Sequence, residues 1–127
     1  MSTSEHRILV VDDDRDGAES LALLLRIEGY STQSAYDGME ALRVAREFLP
    51  HVVLLDISMP ELDGFDVASR LHAESWARGL RVIALTAWNR FDDRARARAV
   101  GFDGYLVKPV DFAMLQQMLR TYRALAE

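Results

Sequence analysis

Apolar residues fall along the chain in two alternating rhythms. R-I-L-V-V at Arg7–Val11 is a short β-branched run that stops at Asp12, Asp13 and Asp14, the profile of a buried parallel strand. Ala18, Leu21, Ala22 and Leu25 then recur at i, i+3, i+4 and i+7, and Gly29 ends that predicted helix. Ser31–Ala35 reads as a second, weaker strand. Asp37 caps a helix carrying Ala41, Val44, Ala45 and Phe48 on one face, stopped by Pro50. His51–Leu55 is a third strand ending at Asp56, and residues 57–63 (I-S-M-P-E-L-D) form a loop before a helix over residues 64–73. Leu80–Leu85 is a fourth strand ending at Thr86. Asn89 caps the next helix, with Asp92 and Asp93 in its first turn and Gly101 as its stop. Tyr105–Val107 is a fifth short strand ending at Lys108-Pro109. Asp111 caps a last helix with Phe112, Leu115, Leu119 and Tyr122 on one face. Five strands alternating with five helices predict an α/β fold, a doubly wound five-stranded parallel sheet covered on both faces.

Composition narrows the class. The 127 residues suit one domain spanning the whole chain, with a core over about residues 6–126. Half of them are apolar, enough for a sizeable core. The absence of cysteine excludes disulfides, thiolate metal sites and Cys nucleophiles. Met1–Arg7 is polar and lacks a signal-peptide core, and the longest aliphatic stretches, such as Leu21–Leu25, fall far short of the ~20 residues of a membrane helix. A net charge of −5 argues against bulk binding of nucleic acid. The expectation is a soluble cytoplasmic domain with neither a membrane nor a nucleic-acid partner. Of its 15 basic residues, 14 are Arg and only Lys108 is Lys, which marks a position that wants a compact ammonium instead of a planar fork.

Chemistry collects at the carboxyl ends of the strands, where open parallel sheets bind their ligands. The first strand supplies Asp12, Asp13 and Asp14, the third Asp56, the fourth Thr86 and the fifth Lys108. Clustered carboxylates repel one another unless a cation or shared protons relieve them. Hard oxygen ligands of this kind suit Mg²⁺. With a hydroxyl and an ammonium beside them, they form equipment for moving a phosphoryl group onto a carboxylate.

V-V-D-D at Val10–Asp13, L-L-D-I-S-M-P-E-L-D-G at Leu54–Gly64, L-T-A at Leu85–Ala87 and Y-L-V-K-P at Tyr105–Pro109 occur in order, each at a predicted strand end. With these motifs the chain resembles a receiver domain of the two-component response-regulator family, from Arg7 to about Tyr122. The resemblance implies a flavodoxin-like fold with strand order 2-1-3-4-5. It implies that Asp56 accepts a phosphoryl group from a sensor histidine kinase or histidine phosphotransfer protein. It further implies that Asp12, Asp13, Asp56 and the Ser58 backbone carbonyl serve Mg²⁺, with Asp12 acting through water. Thr86 would donate to the phosphoryl group, Lys108 would pair with one of its oxygens, and Lys108-Pro109 would be cis. Tyr105 would be an aromatic switch that follows Thr86. Such a domain is a phosphoacceptor and not a turnover enzyme, and its output is binding to a downstream protein. A second copy is a further candidate partner, through the helix after Asn89 or the last helix.

Two other functions compete. An Asp-nucleophile phosphatase of haloacid-dehalogenase type would use Asp12-x-Asp14, but it leaves Asp56 unexplained. A flavodoxin-type flavin carrier needs a hydroxyl- and glycine-rich phosphate loop where D-D-D-R-D stands. Among the remaining features, Asp14 and Asp16 read as cap or turn residues, and His6, His51 and His72 as dispersed surface or strand-edge residues. Arg94–Ala99 (R-A-R-A-R-A) reads equally as a solvated arginine face or a weakly held basic helix open to a partner. Met114, Met118 and Leu125 read as core filling. Chemotaxis-type receivers often carry Asn two residues after the phosphoacceptor and Glu two after the Thr. Ser58 and Trp88 stand there in this chain, which predicts a slowly hydrolysing aspartyl phosphate, because neither orients an attacking water well.

Overall fold

Alternation along the central strands decides which helix packs on which face. In this computed structural model, which describes residues 6–59, 62–87, 99 and 101–126, the elements run β1 (Arg7–Val11), α1 (Arg15–Ile27), β2 (Ser31–Ala35), α2 (Gly38–Phe48), β3 (Val52–Asp56), α3 (Gly64–His72), a 3-10 turn (Ser75–Ala77), β4 (Arg81–Thr86), β5 (Gly104–Val107) and α4 (Phe112–Ala126). All strand pairs are parallel, in the order β2-β1-β3-β4-β5. Ile8, Val10, Val52, Leu54, Ile83 and Leu85 face one side and pack on α1 and α4. Leu9, Val11, Val53, Leu55 and Val82 face the other and pack on α2 and α3. The period-two geometry of strands, with both faces covered, thus accounts for the unbroken apolar runs. β2 is an edge strand and only partly buried, which is why its pattern is weaker.

Each of the four described helices begins at an aspartate. Asp14, Asp37, Asp63 and Asp111 accept the backbone N–H of Gly17, Glu40, Asp66 and Met114 at 3.3, 2.7, 3.0 and 3.2 Å, satisfying donors that a helix start leaves open. The helix predicted from Asn89 lies outside the described residues except for Ala99, which is helical and exposed. Gly101, its predicted stop, has φ +91°, in the left-handed region that suits glycine.

Two expectations are corrected. Met114 and Leu125 do not fill the core; they are 51% and 65% exposed on α4, because the buried stripe of that helix runs through Leu115 and Leu119. Nor are His6 and His51 dispersed. β1 and β3 are neighbours, so the residues preceding them meet, and the two imidazoles stack with centroids 4.9 Å apart. His6 is buried, and the backbone N–H of Arg7 donates to His51 Nδ1 at 2.9 Å. Of the three, only His72 is exposed, with Nε2 3.1 Å from the Gly101 carbonyl.

Burial, aided by the charges of His51, Arg123 and Arg7, pushes the His6 pKa from 6.5 down to about 4. The unfolded chain therefore binds the proton first. This contribution to stability is intact above the unfolded value and is lost as pH falls from there toward about 4. Urea unfolding of wild type and His6→Phe near neutrality and at about pH 5 isolates it: acidification should cost wild type about 2 kcal/mol more than the variant. Equal losses would mean that His6 is protonated at little cost in the fold.

Candidate functional site

Strand register assembles the site. Val11 is level with Leu55, Asp56 with Leu85, and Thr86 with Val107, so Asp12, Asp56, Thr86 and Lys108 reach one edge. Strands β1 and β3 flank the point where strand order reverses, the expected ligand position in such a sheet.

The two buried aspartates are held alike. Asp12 Oδ1 accepts the Asp14 N–H at 3.0 Å, and Asp56 Oδ1 accepts the Ser58 N–H at 2.9 Å. Each strand thus ends in a turn closed by its own aspartate, which fixes one carboxylate oxygen on the backbone. The other oxygens face Lys108, whose Nζ donates to Asp12 Oδ2 at 2.7 Å and lies 3.5 Å from Asp56 Oδ2. Asp13 is exposed, and its carboxylate lies within 4.8 Å of those of Asp12 and Asp56.

Burial is the largest influence on Asp56 and drives its pKa up from 3.8 to about 6. The Ser58 hydrogen bond and the Lys108 charge oppose the rise, while the neighbouring Asp12 adds to it. Burial also disfavours the Lys108 ammonium, but its hydrogen bond to Asp12 and the charges of both aspartates outweigh that and hold its pKa above the ordinary value. Two carboxylates with oxygens turned toward one ammonium, and a third beside them, form an all-oxygen donor set that fits a hard divalent cation such as Mg²⁺.

The remaining expected residues surround this centre. Thr86 is fully buried at the end of β4, and its carbonyl accepts the Lys108 N–H at 2.6 Å. Lys108-Pro109 is cis. Ser58 is exposed beside Asp56. Tyr105, level with Ala84, is partly buried against Ile57, Phe65 and Ala84. Trp88 lies outside the described residues. Asp14 caps α1 through Oδ1, as expected of it.

The α1 surface next to the site was not anticipated. A cleft of about 340 Å³ runs from Asp12 and Lys108 past Leu21 and Leu24 to Pro109 and Val110. Leu23, Leu24 and Ile27 are 53%, 45% and 69% exposed. Leucines that do not fall on the Ala18–Ala22–Leu25 stripe were the available signal.

Comparison with known proteins agrees with this geometry. The response regulator receiver domain family matches residues 8–120. The transcriptional regulatory protein PrrA of Mycobacterium leprae is 45% identical over 112 residues, covering 88% of this chain and 47% of that protein. An uncharacterised 14.6 kDa protein of Leptolyngbya boryana is 40% identical over 115 residues, covering 91% and 88%. Among solved structures, the Vibrio cholerae chemotaxis protein CheY4 superposes with a TM-score of 0.88 at 28% identity, covering 94% of this chain and 99% of that one. The chain spans about half the length of PrrA. Family match, sheet order and the carboxylate–lysine cluster at the strand ends agree: the chain belongs to the response regulator receiver domain family of two-component systems.

Proposed function

We propose that this domain accepts a phosphoryl group on Asp56 from a phosphohistidine, carried by a sensor histidine kinase or a histidine phosphotransfer protein, and alters its binding to a downstream protein in response. The carrying observation is the geometry of Asp56, with Oδ1 tied to the Ser58 N–H and Oδ2 3.5 Å from Lys108 Nζ. Attack by Oδ2 forms an acyl phosphate as the phosphorus–nitrogen bond of the donor breaks and the electron pair returns to its imidazole. Lys108 and the Thr86 hydroxyl then supply donors to the phosphoryl oxygens. Asp12, Asp13, Asp56 and the Ser58 carbonyl would hold Mg²⁺, which when bound neutralises the carboxylates that face an incoming anion. Leu21 and Leu24 of α1, in the cleft beside the site, suit the apolar side of a helical donor. This reading puts the domain in the cytoplasm as a stoichiometric acceptor. The test is incubation with a phosphohistidine donor, with and without a chelator: one phosphoryl group of added mass that appears only with divalent ion is expected. No mass gain in either case overturns the reading.

Two consequences concern the phosphorylated state. Withdrawal of the Thr86 hydroxyl toward the phosphoryl group should free space for Tyr105 to turn inward. Hydrogen exchange with and without beryllofluoride should then differ most over residues 89–105, and equal exchange would leave the domain without a switch. Trp88, having one donor and no acceptor, should leave the acyl phosphate slow to hydrolyse. Trp88→Glu should speed its decay roughly tenfold by offering a carboxylate to the attacking water. Equal decay of wild type, Trp88→Ala and Trp88→Glu would refute this.

A further inference from the structure

The end of the sheet opposite the aspartates is basic. Two clefts of about 260 and 340 Å³ adjoin there, sharing His51, Arg78 and Gly79. Arg7 and Trp76 are among the residues that line the first, and His6, Arg81 and Tyr122 among those of the second. None of the described lining residues is acidic, although the chain carries a net charge of −5. The nearest acid in the bonding pattern, Asp103, is engaged by the Val82 N–H at 2.8 Å and by Arg81 at 3.4 Å. Arg7 bonds the Phe48 and Leu49 carbonyls, and Arg78 is exposed with no carboxylate partner among the described residues.

A second observation points to the same place. Among the described residues, two buried side-chain polar atoms lack a hydrogen-bond partner, His6 Nδ1 and Trp76 Nε1, and these residues line the two clefts. Buried polar groups are nearly always paired, so an orphan calls for an explanation. Burial is the main reason both imidazoles are held neutral, with Arg7 and Arg123 adding to it. A neutral ring keeps one N–H donor.

We propose that these joined clefts bind a small oxyanion, a metabolite bearing a phosphate or a carboxylate, recognised by Arg78, Arg81 and the His6–His51 pair. A guanidinium presents a fork of donors matched to two oxygens of either group. The larger cleft is at the small end of ligand pockets, roughly 300–1,000 Å³, which fits a small molecule and not a polymer. Its position at the amino-terminal strand ends separates it from Asp56, so the proposal stands apart from the phosphoacceptor reading.

The test is NMR of the histidine ring signals of the 127-residue chain, without divalent ion. Inorganic phosphate and succinate are titrated separately against sodium chloride at matched ionic strength. His6 and His51 should shift to saturation while His72, which lines neither cleft, stays still. Arg78→Ala, which removes no contact of the fold, should weaken binding at least about tenfold, with an unchanged melting temperature as the control for folding. Saturation by phosphate alone assigns a phosphoryl ligand, by succinate alone a carboxylate, and by both an unselective oxyanion site. Shifts no larger than those from chloride, or equal affinity in Arg78→Ala, would overturn the proposal.

Discussion

Asp56→Asn should abolish acid-labile phosphorylation, to the level of a donor-free control, and at the same time make the domain more stable at neutral pH. The first effect follows from removing the nucleophile: the amide retains the oxygen that accepts the Ser58 N–H but has no second anionic oxygen facing Lys108. The second follows from the raised pKa of about 6. A carboxyl whose folded pKa lies above its unfolded 3.8 contributes stability that is full below that value and is lost as pH rises through about 6. At neutrality the ionised Asp56 is therefore a burden, and the neutral amide should gain about 1–3 kcal/mol in urea unfolding. The gain should vanish under acid. A variant that loses phosphorylation together with stability would mean that the fold depends on Asp56 and would undercut its role as a strained reactive group.

Gly64→Ala should damage both fold and site. Helix propensity alone favours alanine by about 1 kcal/mol. Yet a Cβ at Gly64 would sit 2.5 Å from the Ile57 Cα and 2.7 Å from the Asp56 carbonyl oxygen, and backbone atoms cannot swing aside as a flexible side chain can. Either α3 or the Asp56–Ile57 peptide must move, at a cost of about 2–3 kcal/mol. Because Asp56 is oriented by the turn through Ile57 to Ser58, phosphorylation by a small-molecule donor should slow as well. Unfolding midpoints and phosphorylation rates of wild type and Gly64→Ala check this. A variant of wild-type stability would show that α3 is free to shift over the strand end.

Much of this architecture was legible in the residues because its signals are local. Apolar runs broken by aspartate, and Gly or Pro stops, need no knowledge of what packs beside them, and all five strands stand within one residue of where they were expected. β3 and β4 each run one residue later than predicted, at Val52–Asp56 and Arg81–Thr86, and β5 starts at Gly104, one residue before the predicted Tyr105, the ordinary uncertainty of an element boundary. Asp12, Asp56 and Lys108 converge because parallel strands in register bring their carboxyl ends to one edge. Carried one residue back from Ile8 and Val52, the same register sets Arg7 level with His51 and so brings His6 beside that imidazole. The adjacency of β1 and β3 was implied by the resemblance, but the register between them, which decides which residues meet, is not written in the alternation of elements. The same limit hid the fate of Met114 and Leu125: both fit helical spacing, but only the position of α4 on the sheet decides that its stripe ends at Leu115 and Leu119.

Site-resolved mass spectrometry tests the central assignment most directly. The domain is phosphorylated by a phosphohistidine donor with Mg²⁺, the acyl phosphate is reduced with borohydride, and the modified residue is located by fragmentation. Conversion of Asp56 to homoserine, with Asp12, Asp13 and Asp14 intact, is the result the geometry predicts. Conversion at any of those three, with Asp56 unmodified, would contradict it.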